Sequence, residues 1–287
     1  MRIALLVLFT SCASTLAPVI TSQPAPAPAI TGGTGAPLAI TRIAHSTVLL
    51  SFNGKQVLTD PWFSELNGYH HGEPLALQVD SLPKLAAVVA SHGHIDHFDL
   101  ESFKAYPDKA VPFFVGKEMV EAAKEAGFTN VHGLAPWEEL TIDGLTFTAT
   151  PGAHGMPELT WVISGEGRTV FFGGDSLKIP ELEGIAARVP PIDVALMPVN
   201  GLRAVGHQVV MNAEEAADVV AMLHPRVAVP MHYTFKGSWF SDTFILGYDG
   251  TPERFVNAVT KTAPQTKTVV LAPGELLVLQ AGSTPSP

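Results

Sequence analysis

Ser91-His92-Gly93-His94-Ile95-Asp96-His97-Phe98-Asp99 is the stretch of this 287-residue sequence that decides its fold and chemistry. Five of these nine residues are His or Asp, which bind metal ions through nitrogen or oxygen. The stretch directly follows the apolar run 85–90 (Leu-Ala-Ala-Val-Val-Ala), which is typical of a buried strand. Loops at strand ends are held in place by the sheet and stay accessible, so we expect a chemical site here.

The spacing within this stretch indicates two metal ions rather than one. In a near-extended segment His92 and His94 share one face, because side chains alternate along an extended chain. Asp96 and His97 come after the chain has turned. The loop can therefore offer two ligand pairs in two directions.

Composition limits the classes of protein to consider. The chain has 17 Lys and Arg against 27 Asp and Glu, a formal net charge of -10, so it lacks the basic surface that binds a phosphate backbone. We therefore expect no nucleic-acid partner. A hydrophobic content of 46% is enough for a globular core. Cys12 is the sole cysteine, which excludes a disulfide within the chain and leaves nitrogen and oxygen as metal ligands.

The N-terminus resembles a bacterial export signal. Met1-Arg2 precedes the apolar run 3–9, which is too short to span a bilayer. Two kinds of processing fit the residues around Cys12: lipidation of Cys12, as in a lipoprotein, or cleavage that releases a soluble protein. We expect an exported protein, periplasmic or lipid-anchored in the cell envelope of a bacterium, with membrane contact only through Cys12. A cytosolic protein with an apolar N-terminus is the alternative.

The sequence divides into four parts. Residues 1–13 form the signal, and residues 14–37 are a Pro- and Ala-rich linker with extended polyproline character. Residues 38–281 form the folded domain, and residues 282–287 are a tail of linker-like composition that we expect to be disordered.

The folded domain is predicted to be α/β (α+β). Strands are predicted over 38–43, 47–52, 55–60, 85–90, 111–115, 140–142, 145–150, 159–164, 168–172, 192–199, 226–231, 268–272 and 276–279. Helices are predicted over 117–126, 213–223 and 252–262. Each half has strands for its own sheet and an amphipathic helix to cover it, which favours a four-layer αββα sandwich.

Three more candidate ligands follow apolar runs later in the chain. They are His154 in Thr150–Gly155, Asp175 after Phe171-Phe172, and His232 after Val229-Pro230-Met231. Each is a weak signal alone, because a single His after a strand is commonly a hydrogen-bonded structural residue. Together with the first stretch, they predict one site built at several strand ends.

The order His-x-His-x-Asp-His, then His, Asp and His resembles the metallo-β-lactamase superfamily over residues 40–279. Residues 43–50 (Ile-Ala-His-Ser-Thr-Val-Leu-Leu) and 58–62 (Leu-Thr-Asp-Pro-Trp) are similar to the branch that contains ascorbate-phosphate lactonases and N-acyl-phosphatidylethanolamine phospholipase D. The resemblance implies the metallo-β-lactamase fold and a dinuclear, metal-dependent hydrolase.

The resemblance also implies roles for individual residues. The first metal is held by His92, His94 and His154, the second by Asp96, His97 and His232, and Asp175 bridges them. Asp60 is implied to be a buried structural acid beside the site. Antibiotic-hydrolysing members often carry a cysteine where Asp175 stands, which argues against a dedicated β-lactamase.

The donor set is typical of Zn²⁺, with Mn²⁺, Fe²⁺ or Ni²⁺ also compatible. Two such ions sharing a water would lower its pKa and polarise the substrate oxygen, so a hydroxide bridging them is the expected nucleophile. Asp96 is the candidate catalytic residue that orients this nucleophile and accepts a proton.

Other residues are candidates for supporting or substrate-contacting roles. His45 precedes a predicted strand, and His207 lies on a predicted loop; each is either close to the site or a structural residue. The aromatic segment 233–248 directly follows His232 and could form a lid or substrate wall.

The leading hypothesis is a metal-dependent hydrolase acting on a small ester, lactone or phosphodiester. Within that class a lipid phosphodiesterase is an alternative, favoured if Cys12 is lipidated, with Trp239 and Phe240 lining an acyl-chain pocket. A catalytically weak metal-binding envelope protein of the same fold is the alternative from another class.

Overall fold

The computed structural model describes residues 38–66 and 68–279. The predicted signal, linker and tail lie outside the described residues, as do Cys12 and the last two residues of the predicted domain. No helix within the described ranges combines the length and the apolarity needed to cross a membrane.

The described residues form strands and helices in alternation. The strands are β1 (Leu38–Ala44), β2 (Thr47–Phe52), β3 (Lys55–Thr59), β4 (Leu85–Val89), β5 (Phe113–Gly116), β6 (Val131–Leu134), β7 (Glu139–Ile142), β8 (Leu145–Pro151), β9 (Leu159–Gly165), β10 (Arg168–Phe172), β11 (Val194–Pro198), β12 (Arg203–Ala204), β13 (His207–Gln208), β14 (Val227–Met231), β15 (Leu246–Gly247), β16 (Lys267–Thr268) and β17 (Leu276–Leu279). The α-helices are α1 (Leu100–Phe103), α2 (Val120–Glu125), α3 (Ala213–Leu223), α4 (Trp239–Phe244) and α5 (Pro252–Thr262). Short 3₁₀ helices occupy Val79–Ser81, Lys117–Met119 and Pro180–Gly184.

Two large mixed sheets carry the fold. The first has the strand order β17-β1-β2-β3-β4-β5-β6, and the second has the order β16-β14-β11-β10-β9-β8-β7. In each sheet the chain begins with antiparallel hairpins and continues with parallel strands. Asn53 and Gly54 turn the β2–β3 hairpin, and both have the positive φ that such a tight turn needs.

The two sheets pack face to face through large apolar side chains. Phe114 of the first sheet stacks on Phe147 of the second, with ring centroids 4.0 Å apart. Trp161 is fully buried in the same layer, and its indole N–H donates to the carbonyl oxygen of Ala90. This layer is the central core of the molecule.

Helices cover the outer face of each sheet. Val220 of α3 and Phe255 of α5 pack with Phe171 of the second sheet in one outer core. Phe103 of α1 packs with Phe113 of the first sheet in the other. The predicted four-layer αββα sandwich is therefore confirmed.

Chain direction places the site at one edge of this sandwich. The parallel strands β3 and β4 of the first sheet run in the same direction as each other, and so do β10, β11 and β14 of the second. Carboxyl ends of parallel strands meet at one sheet edge, so residues that follow these strands gather there.

Two predicted elements differ from the structure. The strand predicted over 268–272 is regular only at Lys267–Thr268. The Val269 N–H still donates to the Ala228 carbonyl, but the chain then leaves the sheet and the Leu271 carbonyl accepts from the Arg42 side chain. The helix predicted over 117–126 starts as a 3₁₀ turn, since Gly116 supplies no capping side chain. Six short elements, α1, β6, β12, β13, α4 and β15, were not predicted.

Replacing Trp161 with Ala should lower the free energy of unfolding by about 3–5 kcal/mol, because it empties a large volume in the central core. Urea unfolding measures the change. Trp239→Ala is the matched control, because Trp239 is 77% exposed and its loss should change stability by no more than about 0.5 kcal/mol. Equal midpoints for the two variants would contradict this assignment of the core.

Candidate metal centre

The predicted ligands come together where strands of both sheets end. The loop 91–99 follows β4 of the first sheet. His154 follows β8, Asp175 follows β10 and His232 follows β14, all in the second sheet. The site therefore spans the two sheets.

Three imidazoles form the first cluster of ligand atoms, and they are those of His92, His94 and His154. His94 Nδ1 lies 2.9 Å from His92 Nε2 and 3.2 Å from His154 Nε2. Three ring nitrogens thus point at a common position.

The protons on these rings can be assigned from their outer partners. His154 Nδ1 lies 2.6 Å from the carbonyl oxygen of Val209, which can only accept, so this nitrogen carries the proton. Ser91 Oγ donates to Asp60 and therefore accepts from His92 Nδ1. The Nε2 atoms of both rings are consequently bare lone pairs.

Hydrogen bonding alone cannot satisfy this cluster. Two bare nitrogens face His94 Nδ1, and a single N–H at that atom can donate to only one of them in a good geometry. A metal ion at the common position would accept all three lone pairs. The residues present thus fit a metal site.

The second cluster contains Asp96, His97 and His232, together with His45. His232 Nδ1 is buried without a hydrogen-bond partner among the described residues, and His97 Nε2 and His232 Nε2 both face the carboxylate of Asp175. His97 Nε2 lies 3.6 Å from Asp96 Oδ2, which is too long for a hydrogen bond.

Asp175 lies between the two clusters. Its Oδ1 is 2.8 Å from His232 Nε2, and its Oδ2 is 3.2 Å from His97 Nε2. It also forms a group of potential ligands with His92 of the first cluster and His97 of the second. This is the position that the implied bridging role requires.

Asp60 is fully buried and contacts the second cluster through the imidazole of His97. One of its oxygens lies 2.5 Å from His97 Nδ1, so His97 donates there and its Nε2 is directed towards the other ligand atoms. Asp60 also accepts from the backbone N–H and the hydroxyl of Ser91, each at 2.7 Å. A carboxylate behind a metal-binding imidazole fixes the ring orientation.

The backbone is strained at three positions of the site. His45, Asp60 and His232 have φ values of 51°, 35° and 56°, the left-handed region that non-glycine residues rarely occupy. Each such residue costs about 1 kcal/mol or more, so the packing around the site must hold them.

The imidazoles differ in their protonation. Burial and nearby His97 lower the pKa of His92 well below its usual value, and burial lowers that of His94. Burial and nearby His232 lower the pKa of His45 to about 3. These rings are neutral at pH 7, the form in which imidazole binds metals.

His97 and the carboxylates form the charged part of the site. Burial alone would lower the pKa of His97, but the carboxylates of Asp175, Asp96 and Asp60 outweigh it and raise the pKa well above its usual value. Burial would raise the pKa of Asp175, yet His232 and His97 lower it well below the usual value. Without metal, His97 is thus protonated and Asp175 ionised.

Glu158 is a site residue that sequence reasoning missed. Its side chain is buried, and Oε1 accepts from the Asp175 N–H at 2.5 Å. Burial and nearby Asp175 raise the pKa of Glu158 well above its usual value. At Gly174, which has φ +54°, a Cβ atom would lie 2.3 Å from this oxygen, so only glycine fits. Nothing in the sequence around Glu158 marks it.

The two other candidate histidines lie in different environments. His45 is fully buried within the second cluster. His207 is exposed on the β12–β13 hairpin and is not among the grouped ligand residues of the described chain. Its neighbour Val209 nevertheless orients His154 through the carbonyl contact described above.

Comparisons with known proteins find relatives that are described as metal-dependent hydrolases. The family profile described as "Beta-lactamase superfamily domain" matches residues 55–233. A UPF0173 metal-dependent hydrolase of Staphylothermus marinus is 30% identical over 240 residues, 81% of this chain and 93% of that protein. The structure of a metallo hydrolase from Ignicoccus hospitalis is similar with a TM-score of 0.66 and 25% identity, over 85% of this chain and 98% of that chain. A metallo-beta-lactamase fold protein of Bacillus subtilis has a TM-score of 0.62 at 15% identity, over 84% and 98% of the two chains, which shows the shared fold.

Asp60→Asn should weaken metal binding by about 10- to 100-fold, because Asn offers one acceptor oxygen where Asp60 receives three hydrogen bonds. Competition with a coloured chelator measures the affinity. Asp193→Asn is the control, since Asp193 is also buried and ion-paired, to Arg168, but lies outside the ligand clusters. Equal losses in both variants would contradict a specific role for Asp60.

Metal affinity should rise with pH, because His97 is protonated in the metal-free protein and must release that proton to offer Nε2. Below the raised pKa of His97, loss of one proton gives about tenfold tighter binding for each pH unit. Chelator competition from about pH 6.5 to about pH 8.5, on either side of neutrality, tests the dependence. Affinity that does not change with pH would contradict the protonation of His97.

Proposed function

Because the chain belongs to the metallo-β-lactamase superfamily and to its UPF0173 metal-dependent hydrolase family, we propose that it hydrolyses a small ester, lactone or phosphodiester with two divalent metal ions. It is a metal-dependent hydrolase by family, and its buried His and Asp clusters provide the metal-binding residues. The substrate class, the dinuclear stoichiometry and zinc as the metal are the parts that we propose.

The observation that carries the proposal is the set of facing lone pairs in the site. His92 Nε2 and His154 Nε2 both face His94 Nδ1, and the Nε2 atoms of His97 and His232 both face the carboxylate of Asp175. The clusters are contiguous, since His92 and His97 have ring centroids 4.3 Å apart. Two ions held this closely would lower the pKa of a shared water and polarise the substrate oxygen.

Differences in burial suggest the side from which substrate approaches. His97 and His232 are fully buried, whereas the Asp96 side chain keeps 9% of its surface exposed and His94 is only partly buried. The open side of the centre is therefore lined by Asp96, His94 and the equally half-buried His154.

Asp96 can orient the attacking water and accept its proton. Burial alone would raise its pKa, but His97 and His45 lower the pKa below the usual value, so the carboxylate is ionised and can accept a hydrogen bond. Nearby Asp175 is more deeply buried and lies against two imidazoles, which suits a structural bridge rather than proton transfer.

Aromatic residues beside the second cluster suit a substrate with an apolar portion. Phe235 lies 6.0 Å from the ring of His45, and Tyr69 meets Phe235 edge-on at 5.7 Å. The ring of Tyr248 also lies against the ring of Phe235. Pockets that combine aromatic walls with a few polar groups are typical of small-molecule sites.

We propose Lys236, which lies beside these aromatic residues, as a cation for a phosphate or carboxylate group of the substrate. Its backbone pairs with that of His70, and its Nζ lies 5.8 Å from the ring centre of Tyr248. By contrast, Lys178 Nζ is paired with Asp218 at 2.7 Å.

The lipid phosphodiesterase is a narrower version of this proposal. Trp239 and Phe240 are 77% and 58% exposed, so they would offer an open apolar surface to an acyl chain rather than a pocket. Residues 43–50 and 58–62 still favour the lactonase and phospholipase branch, which stays a prediction.

We also propose that the protein is exported, either anchored by a lipid on Cys12 or released by cleavage of the N-terminal signal. Acyl labelling of the expressed protein tests lipidation.

The alternative from a different class, a metal-binding envelope protein without useful catalysis, would share the same ligands. Metal analysis together with a panel of ester, lactone and phosphodiester substrates separates the two. Two metals per chain with no turnover on any substrate would favour this alternative over the hydrolase.

Asp96→Asn should reduce kcat/KM by about 10²- to 10⁴-fold, because the amide cannot accept the proton of the attacking water. Hydrolysis of bis-p-nitrophenyl phosphate and of a lactone, with circular dichroism to verify folding, measures the effect. Asp143→Asn is the matched control, because Asp143 lies on the exposed β7–β8 turn and Asn tolerates its positive φ. Turnover by Asp96→Asn at the wild-type rate would contradict the proposed role.

A further inference from the structure

We infer that His45 is a further imidazole ligand of the second metal position, in addition to the three residues that the sequence predicts there. The inference rests on the proposed dinuclear centre and extends it, because neither the sequence motif nor the spacing of the ligands includes His45.

The hydrogen bonding of His45 is the first reason. Its ring is fully buried, and neither Nδ1 nor Nε2 has a hydrogen-bond partner among the described residues. Buried polar atoms are rarely left without partners, since they have lost their bonds to water. His71 shows the usual case: it is equally buried, but Nδ1 contacts Glu65 at 2.6 Å and Nε2 contacts the carbonyl oxygen of Trp62 at 3.2 Å.

The position of the ring is the second reason. His45 lies against His232, with ring centroids 4.0 Å apart, and its Nε2 is 3.6 Å from Asp96 Oδ2. That separation is too long for a hydrogen bond. It is close to the roughly 3.0–3.5 Å expected between two atoms that each lie about 2.1 Å from one ion. One ligand atom from each of the four residues lies within 4.8 Å of the others.

The backbone of His45 is the third reason. It occupies the tight β1–β2 turn with a φ of 51°. The β2–β3 turn meets the same requirement with Asn53 and Gly54, which adopt positive φ more readily. A His in this conformation costs more free energy than Asn or Gly would, and the packing around the ring has to supply it.

The partly buried carboxylate of Glu73 connects this turn to the segment that follows His232. Glu73 Oε1 accepts from the His45 N–H at 2.9 Å and from the Thr234 hydroxyl at 2.8 Å. Arg42 is ion-paired with Glu73 and lies over the ring of Tyr233. The same contacts therefore set the backbone beside both His45 and His232.

The extra imidazole would make the two metal positions unlike. The first would have three imidazoles and the bridging carboxylate, four protein donors, a number that suits zinc. The second would have four donors of its own besides the bridge, which suits six-coordinate ions such as Mn²⁺, Fe²⁺ or Ni²⁺. We therefore expect the two positions to differ in metal preference.

Titration of the metal-free protein with Co²⁺ tests this inference, because the visible spectrum of Co²⁺ reports its ligands. His45→Phe preserves the ring packing and removes both nitrogens. We expect the wild type to bind two Co²⁺ ions, and the variant to bind one of them at least about 10-fold more weakly with an altered spectrum. His71→Phe is the matched control, since His71 also contacts Trp62 but has its own partners.

His45→Asn gives a second variant that accepts the positive φ if the Phe variant does not fold. Two Co²⁺ ions bound by a His45 variant with wild-type affinity and spectrum would overturn the inference and leave the dinuclear centre intact. A wild type that binds fewer than two ions would overturn both the inference and the proposed function.

Discussion

At one edge of the sandwich, the fold holds together nitrogen and oxygen atoms that cannot all satisfy one another by hydrogen bonding. This constraint explains much of the structure. His92 and His154 each use one nitrogen on an outer acceptor, which leaves the other bare and directed inward. Asp60 orients His97 in a similar way, by accepting from its Nδ1. Such an arrangement is unfavourable without a cation, so the surrounding cores must supply the rigidity that keeps it in place.

The fold was predictable from sequence in outline because its strands are short apolar runs separated by clear turn signals. Asn53-Gly54 and the capping pair Asn212 and Glu215 marked element boundaries that the structure shows. The single-turn helix after Asp99, the strand Val131–Leu134 and the helix Trp239–Phe244 were not predictable. They are too short to show a period, and tertiary contacts determine them.

The site was predictable where its residues are close in sequence or follow apolar strands. The structure brings the seven predicted ligand residues together, although their roles as metal ligands rest on the family resemblance. Glu158 and the place of His45 in the second cluster depend on how two sheets face each other, which local patterns do not reveal. The positive φ values at His45, Asp60 and His232 were equally hidden, because most His and Asp residues adopt negative φ and no turn motif marks these three positions.

The placement of the ligands on both sheets has a mechanical consequence. His92 and His97 extend from the first sheet, whereas His154 and His232 extend from the second, so bound ions would tie together halves otherwise joined at this edge by side-chain packing and hydrogen bonds. Binding to the native state alone adds stability by mass action, and here that stability would be shared by both sheets. Metal binding would thus hold the two sheets together at this edge, so that local unfolding of one half would be coupled to local unfolding of the other.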